Sequence, residues 1–420
     1  MGTENAPGFS ASNSDTPSSS APGFEDARRM ILEAVTPLAG ETVELLDSVG
    51  RVLAADLVAP WPLPRFSNSA MDGYAVRAED CAAGVDLKVI EFVPAGQLPT
   101  RRVEQGTAIK IMTGAMVPEG CDSVVPIEVA EERDGLVRTT AEVKRGQHIR
   151  LVGEDVRDGE TIFATGRLVR PFEINMLANF GMSQVEVVRR PRVGIVSTGD
   201  ELVQLGTMPG AGQIVNSNAY SLAAAVRSLG AEAILLGIAR DTVESHREKF
   251  SAGLGYEALI TSAGISVGDR DLVSEVLQSL GVQMAFHRIK VKPGKAMAFG
   301  VREGRPVFAL PGNPVSSMLA FEEFVAPALR RMMGHHETVR RLFPAVLQTP
   351  LRKSKEYTSL VRVRLECTNG RYLAFSSGKQ ETGLVRTMVE ANGVAILPAG
   401  REEFAAGEEV QVHSLEGFGL

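Results

Sequence analysis

In the stretch Ser69-Ala70-Met71-Asp72-Gly73-Tyr74-Ala75-Val76-Arg77 one carboxylate stands between an apolar anchor and a glycine. Pro60, Pro62 and Pro64 lead into it, and each proline fixes its own φ and restrains the residue before it. The acid is thereby presented on a stiff loop, where function concentrates more than in cores. A turn aspartate that caps a neighbouring element uses the same residues. Two later stretches share this chemistry, Ser197-Thr198-Gly199-Asp200-Glu201 and Thr261-Ser262-Ala263-Gly264-Ile265-Ser266-Val267-Gly268-Asp269-Arg270-Asp271. Consecutive backbone N–H groups in such loops form a nest for an oxyanion, and a helix start behind them adds positive potential. The acids suit a hard cation such as Mg2+, which shares phosphate oxygens with one or two carboxylates. Ordinary strand-to-helix turns draw on the same residue types for capping and backbone freedom. Neither loop has the GxGxxG or GxxxxGK[ST] spacing, so neither nucleotide-binding reading stands.

The stretch His287-Arg288-Ile289-Lys290-Val291-Lys292-Pro293-Gly294-Lys295 alternates charge with apolar side chains. Period-two geometry predicts Arg288, Lys290 and Lys292 on one face of a strand, with Lys295 turned back at its end by Pro293-Gly294. Like charges this close repel unless water screens them or an anion sits between them. The stretch therefore reads as an anion site, or as an edge strand whose lysines block further pairing. In Leu310-Pro311-Gly312-Asn313-Pro314, Asn313 suits an N-cap and Pro314 the first helical position. Pro311 and Gly312 stiffen the turn and let a ligand approach the backbone. Met112-Thr113-Gly114-Ala115 offers a hydroxyl beside a glycine, and Arg150-Leu151-Val152-Gly153-Glu154-Asp155 an acid in a turn; each is also common turn chemistry.

The frame that must hold these loops changes character along the chain. Residues 1–23 are rich in Ser, Pro, Gly and Ala, which predicts a disordered tail. A helix is expected over 26–35, and residues 57–160 carry short β-rich runs (87–93, 108–112, 123–129) between Gly and Pro turns, the pattern of a small β domain. A helix over 168–177 follows. From Arg192 strands at 193–196, 233–237, 258–261, 284–291 and 306–310 alternate with helices at 217–229, 242–251, 271–280 and 315–333. That alternation predicts a parallel sheet covered on both faces, with ligands beyond the carboxyl ends of its strands. From Arg341 the chain is β again: Val361, Val363, Leu365 and Cys367 alternate with Arg362, Arg364 and Glu366, and Asn369-Gly370 fits a type I′ hairpin turn. A small barrel or sandwich closes the chain. The fold class is multidomain α/β plus β: a tail to 23, an N-terminal mixed α/β region over 24–190 with its β insert, a doubly wound domain over 191–334, and a C-terminal β domain over 341–420.

Bulk properties exclude several classes. The chain has 420 residues, 44% hydrophobic and 23% charged, enough for about three globular domains. A net charge of −7 argues against nucleic-acid binding, which needs a basic face, but not against a small anionic ligand held by local charge. Cys81, Cys121 and Cys367 are odd in number and form no CxxC pair, so buried free thiols are expected, without disulfide or zinc. Residues 1–23 carry neither the basic start nor the apolar core expected of a signal peptide, and Ala6 stands where myristoylation needs Ser or Thr. No apolar run is long enough to cross a bilayer. The expected location is the cytoplasm.

The ordered set SNSAMDGYAVR, IMTGA, IRLVGEDV, VSTGDEL, GIARD, TSAGISVGDRD, KPGKAMAFG and LPGNPVSS resembles the MoeA-type molybdopterin molybdenumtransferases, which include the E domains of gephyrin and of its plant counterpart. The resemblance runs from about Phe24 to the C-terminus. It implies insertion of molybdenum from molybdate into adenylylated molybdopterin with release of AMP, assisted by Mg2+, in an elongated homodimer of four-domain chains. One of those domains is the MogA-like molybdopterin-binding domain, shared with the adenylyltransferase that makes the substrate. By motif position Asp72, Thr113, Asp155, Glu201, Asp241 and Asp271 match functional positions, with Glu201, Asp241 and Asp271 as candidates for Mg2+ binding or water activation. Substrate contacts are implied at Ser197, Thr198, Gly199, Asp200, Ser262, Gly264, Ser266, Gly268, Asp269, Arg288, Pro311, Gly312, Asn313, Pro314 and Arg362, with Lys292 and Lys295 as oxyanion holders. Asp72 would reach the site from the partner subunit. Molybdopterin adenylyltransferase and recipient molybdoenzymes are the implied protein partners. Three features depart from the pattern. Ala263 replaces a common glycine, Arg288 a common lysine, and Glu381-Thr382-Gly383 the usual serines in the loop from Ser376.

Two other functions compete. An adenylyltransferase shares the middle domain, but MDGYA and the flanking domains speak against it, and ATP-dependent adenylylation of apo-pterin would decide for it. A non-catalytic scaffold for a partner peptide would bind a protein and turn nothing over.

Overall fold

The computed structural model describes residues 21–82, 84–264 and 271–415; Ser266, Gly268, Asp269 and tail residues 1–20 lie outside them. The chain forms two compact units, one from the residues up to Glu41, Gly50–Val52 and everything from Val188 on, the other from Thr42–Val49 and Leu53–Val187. None of the described helices is long and apolar enough to cross a membrane.

The first unit is built on a six-stranded sheet in the order Glu232–Ala239, Arg192–Thr198, Ala258–Ser262, Arg305–Leu310, Ala298–Arg302, Gln283–Phe286. The first four strands are parallel and read as nearly continuous apolar runs, because helices cover both faces. One face packs Ile195, Ile260 and Phe308 with Leu222 and Leu319. The other packs Val196, Leu259 and Val307 with Phe250 and Leu277. The sheet is not wholly parallel, as the alternation predicted. Ala298–Arg302 runs antiparallel to Arg305–Leu310 and was not foreseen as a strand. Glu303 at φ 52° and Gly304 at φ 75° close a two-residue hairpin between them, which leaves no length for a crossover helix.

The helix expected over 315–333 is interrupted. Pro314–Ala320 and Ala326–Met332 are α-helical, with a π turn at Phe321–Val325 between them. Pro327 has no N–H to give the Glu323 carbonyl. Arg28 Nε donates to that carbonyl instead, at 3.2 Å, and Arg28 Nη2 to Glu323 Oε2 at 2.6 Å. His413 Nε2 lies 2.6 Å from Glu323 Oε1. The helix Phe24–Glu33, which carries Arg28, thus packs on this segment, with Phe24 edge-on to Phe324 at 5.6 Å. Within the tail expected up to residue 23, Pro22 and Gly23 are held by backbone hydrogen bonds. Lys290 N–H donates to the Pro22 carbonyl at 2.8 Å and Ala27 N–H to that of Gly23 at 3.0 Å.

Beyond residue 341 the strands Thr358–Thr368, Arg371–Ser376, Phe343–Leu347, Glu409–Ser414 and Gly393–Leu397 close on themselves, because the first also pairs with the last. This is a five-stranded barrel around Leu347, Val363, Ala395 and Val412. Asn369 and Gly370 have φ of 52° and 74°, as a type I′ turn requires. The alternation fails at Arg362, which is fully buried among apolar neighbours.

The second unit holds a mixed six-stranded sheet in the order Ser123–Pro126, Gly73–Val76, Thr107–Ile111, Leu87–Val93, Leu136–Thr139, Ala130–Arg133. Gly73 belongs to a strand here. A Cβ on it would lie 2.0 Å from the Val125 carbonyl oxygen, so the strand approach, not a turn, requires glycine. The three thiols are free as expected, but none is fully buried: Cys81 and Cys121 are half-buried and Cys367 is exposed. Cys367 lies at the hairpin end of its strand, past the cover of the barrel core.

Candidate functional site

Three parallel strands end level with one another. Ser197 pairs with Ser262, and Ser262 with Leu310, so the loops that follow all leave from one carboxyl edge. Between them opens a cleft of about 390 Å³, lined among others by Ser197, Glu201, Asn216, Asn218, Ser262 and Asn313. The backbone after Ser262 turns through left-handed conformations at Ala263 (φ 74°) and Gly264 (φ 77°). A Cβ on Gly264 would fall 2.5 Å from Thr198 Oγ1, so the loop folds directly onto that buried threonine. Thr198 Oγ1 has no hydrogen-bond partner among the described residues. Ala263 N–H donates to the Leu310 carbonyl at 3.1 Å, which ties the second loop to the third. Asn313 starts the helix Pro314–Ala320 as expected but makes no side-chain cap bond; its residue lines the cleft.

Two asparagines that the sequence did not single out organise this edge. Asn216 caps the helix Ser217–Ser228: its Oδ1 accepts from Ala219 N–H at 3.4 Å and from Ser197 Oγ at 2.8 Å. Asn218 Nδ2 donates to Ser262 Oγ at 2.9 Å and to the Gly312 carbonyl at 2.8 Å. The available signal was an Asn just before a helical pattern, a capping cue.

The acids stand on the loops after the strands Arg192–Thr198 and Glu232–Ala239 and at the start of the helix Leu272–Ser279. Glu201 folds back over Gly199, where a Cβ would lie 2.4 Å from its Oε2. Asp200 N–H donates to Asp241 Oδ2 and Asp241 N–H to Asp200 Oδ1, both at 3.3 Å. Arg240, also unforeseen, donates through Nη1 to the carbonyls of Gly199, Asp200 and Leu202 at 3.2, 3.1 and 3.1 Å. Asp271 caps the helix Leu272–Ser279. Its Oδ1 accepts from Ser274 N–H at 3.1 Å and its Oδ2 from Ser274 Oγ at 2.6 Å. Among the described residues no three His, Cys, Asp or Glu side chains converge on a metal position. Mg2+ bound chiefly through substrate phosphates needs only one or two carboxylates, and Glu201 and Asp241 fit that donor set.

The cationic stretch is not one strand. Gln283–Phe286 ends the sheet, and only Val291–Lys292 is extended again, pairing in parallel with Thr358–Thr368 of the barrel. The chain has to leave one sheet for the other, which breaks the ladder at 287–290. Burial still alternates around it: Ile289 and Val291 are buried, while Arg288, Lys292 and Lys295 are exposed. None of these three cations has an acidic partner among the described residues. Lys292 pairs with Ser359, and Arg362 lies three residues further along that strand, about 10 Å away. Arg362 Nη2 donates to the carbonyls of Lys379 and Glu381 at 3.1 and 3.2 Å, so the departing loop is held through its backbone. Nε and Nη1 find no partner among the described residues, and burial pushes the guanidinium pKa down.

Asp72, Thr113 and Asp155 lie in the second unit. Asp72 Oδ1 accepts from both Thr113 N–H and Thr113 Oγ1, each at 2.7 Å. Those bonds, the backbone one first, hold the Asp72 carboxyl below the usual carboxylate range. Asp155 lines a separate cavity of about 460 Å³ together with Asn68, Arg150 and Glu154. Asp72 and Thr113 are not among its lining residues.

Three family models match the chain in order. They are the MoeA N-terminal region (domain I and II) over residues 23–181, the probable molybdopterin binding domain over 194–331, and the MoeA C-terminal region (domain IV) over 344–415. A molybdopterin molybdenumtransferase of Staphylococcus epidermidis is 30% identical, covering 92% of this chain and 94% of its own. Molybdopterin molybdenumtransferase 2 of Mycobacterium tuberculosis is 36% identical, covering 93% and 99%. A solved MoeA protein of molybdopterin biosynthesis from Pyrococcus horikoshii superposes with a TM-score of 0.84 at 31% identity, over 95% of this chain and 100% of that one. A solved molybdopterin biosynthesis MoeA protein from Pyrococcus horikoshii OT3 gives a TM-score of 0.77 at 30% identity, over 94% of this chain and 100% of that one.

Proposed function

The chain belongs to the molybdopterin molybdenumtransferase (MoeA) family, and from that premise we propose how its own residues carry the transfer. It is an enzyme of molybdenum cofactor biosynthesis. The reading is that it inserts molybdenum from molybdate into adenylylated molybdopterin and releases AMP. The observation that carries it is the level ending of the strands at Ser197, Ser262 and Leu310. Ser197, Ser262, Asn313 and one acidic residue, Glu201, line one cleft at that edge.

In this reading Ser262, Gly264 and the Pro311–Pro314 turn hold the phosphoanhydride. Ser266, Gly268 and Asp269 remain part of the proposal by motif position. Arg288, Lys292 and Lys295 hold molybdate and the pterin phosphate, since cations without local carboxylate partners are the cheapest counter-charge for two anions. Glu201 and Asp241 would hold Mg2+, which neutralises charge on the departing AMP when bound. Asp271 orients the first turn of its helix through Ser274. Asp72, Thr113 and Asp155 are proposed to serve the same reaction, Arg362 to anchor the barrel's contribution, and the active form to be a homodimer.

AMP release from adenylylated molybdopterin tests this. Release should depend on molybdate and Mg2+ and vanish in Lys292→Ala. A folded protein that releases no AMP under those conditions would overturn the reading.

A further inference from the structure

Two serines face the same cleft, and the residues behind them fix their hydroxyls in opposite senses. Each asparagine is oriented by a backbone group, so neither amide can be turned over. The Asn216 oxygen must point to Ala219 N–H, which it accepts at 3.4 Å as the helix cap. Ser197 lies 2.8 Å from that same oxygen. An amide oxygen only accepts, so the Ser197 proton is spent there. What Ser197 can show the cleft is a lone pair. Asn218 must point its NH2 at the Gly312 carbonyl, 2.8 Å away. Its second N–H meets Ser262 Oγ at 2.9 Å. Ser262 is therefore an acceptor toward Asn218, and its own proton finds no acceptor among the described residues. What Ser262 can show the cleft is an O–H.

We propose that Asn218 is a positioning residue that fixes Ser262 as a hydrogen-bond donor in the cleft, while Asn216 fixes the adjacent Ser197 as an acceptor. The inference rests on the cleft being where adenylylated molybdopterin binds. A donor at Ser262 meets an oxyanion such as the anhydride phosphate. An acceptor at Ser197 repels that oxyanion and meets an N–H or O–H of the substrate instead. The pair thereby sets which way round the substrate lies, because the reversed pose puts oxygen against oxygen and leaves a donor unmet. Asn218 does a second job with the same amide: it braces the turn at Gly312 against the end of the strand Ala258–Ser262.

The test compares Asn218→Asp, Ser262→Ala, Ser197→Ala and the double variant Asn218→Asp/Ser262→Ala. It reads KM for adenylylated molybdopterin, kcat, the dissociation constant of AMP and the melting temperature. An aspartate at 218 offers only acceptors, so Ser262 turns its proton inward and the cleft loses its donor. KM and the AMP constant should then rise about tenfold. Ser262→Ala should raise both by less, since it adds no charge, and the two changes together should fall short of multiplicative, because they share the lost Ser262 donor. Loss of AMP affinity should be larger in Ser262→Ala than in Ser197→Ala. Fully multiplicative effects of the two changes, or an Asn218→Asp variant that lowers the melting temperature while leaving KM and AMP binding intact, would overturn the inference and reduce Asn218 to a brace. Failure of the wild-type chain to bind AMP or turn over would instead strike the underlying reading of the cleft.

Discussion

Asp200 and Asp241 hold each other's loops: each carboxylate accepts the other's backbone N–H at 3.3 Å. The loops leave two neighbouring parallel strands, Arg192–Thr198 and Glu232–Ala239. Arg240 completes the joint from below with its three carbonyl contacts. The arrangement fixes where the carboxylates stand without spending all their oxygens, since Asp200 Oδ2 and Asp241 Oδ1 make none of these bonds.

Asp241→Asn separates geometry from charge. The amide oxygen still accepts Asp200 N–H, so the melting temperature should move little. The lost charge should lower molybdate-dependent AMP release about 100-fold and raise the Mg2+ concentration needed for half-maximal rate. A Mg2+ titration of both proteins checks this. An unchanged Mg2+ midpoint would remove Asp241 from the metal.

Asp72 owes its depressed pKa to Thr113. A lowered folded-state pKa keeps the charge as pH falls, until the folded value is passed. Thr113→Val keeps the backbone bond and loses the hydroxyl one, so the acid limb of the pH–rate profile should move up toward the ordinary carboxylate range. Thr113→Ser should restore it. A limb that stays in place would show that Asp72 ionisation does not govern the rate.

Acid stability should depend on two glutamates. Arg170 first, and Arg167 with it, hold Glu173 down at about 2, against the cost of its desolvation. Glu257 also sits at about 2, where Arg192 and Arg189 outweigh desolvation. Both depressed values contribute stability that is complete above the unfolded carboxylate pKa of about 4.3 and fades as pH falls from there toward 2. Glu173→Gln should therefore cost about 1–2 kcal/mol at pH 7, allowing for the half-exposed arginines, and almost nothing near pH 2. Trp61, the sole tryptophan, packs on Phe180 at 6.2 Å in the same unit, so its fluorescence reports the transition.

Ala263 bears a side chain at φ 74°, where glycine is less strained. Ala263→Gly should stabilise the first unit by about 1 kcal/mol, read as a higher melting temperature. Gly264→Ala should do the reverse and weaken AMP binding, because its Cβ would meet Thr198 Oγ1 at 2.5 Å and Val273 Cγ2 at 2.6 Å.

Periodicity and turn chemistry are local, so the chain alone determined the alternation of strands and helices after Arg192, the type I′ turn at Asn369-Gly370 and the loops that begin at Ser197, Thr261 and Leu310. The motif set also carried the family. What it could not carry is any relation between distant segments. Arg362 alternates like a surface residue, yet it is buried because barrel closure puts the 376–383 loop over it. The helix after Pro314 reads as continuous, yet Pro327 withholds an N–H that Arg28, far away in sequence, replaces. The run 287–295 reads as one strand, yet it hands over from the sheet to the barrel. Ser197 and Ser262 look alike in sequence. Only the tertiary structure made one an acceptor and the other a donor, because a hydroxyl takes its polarity from whichever partner the fold places behind it.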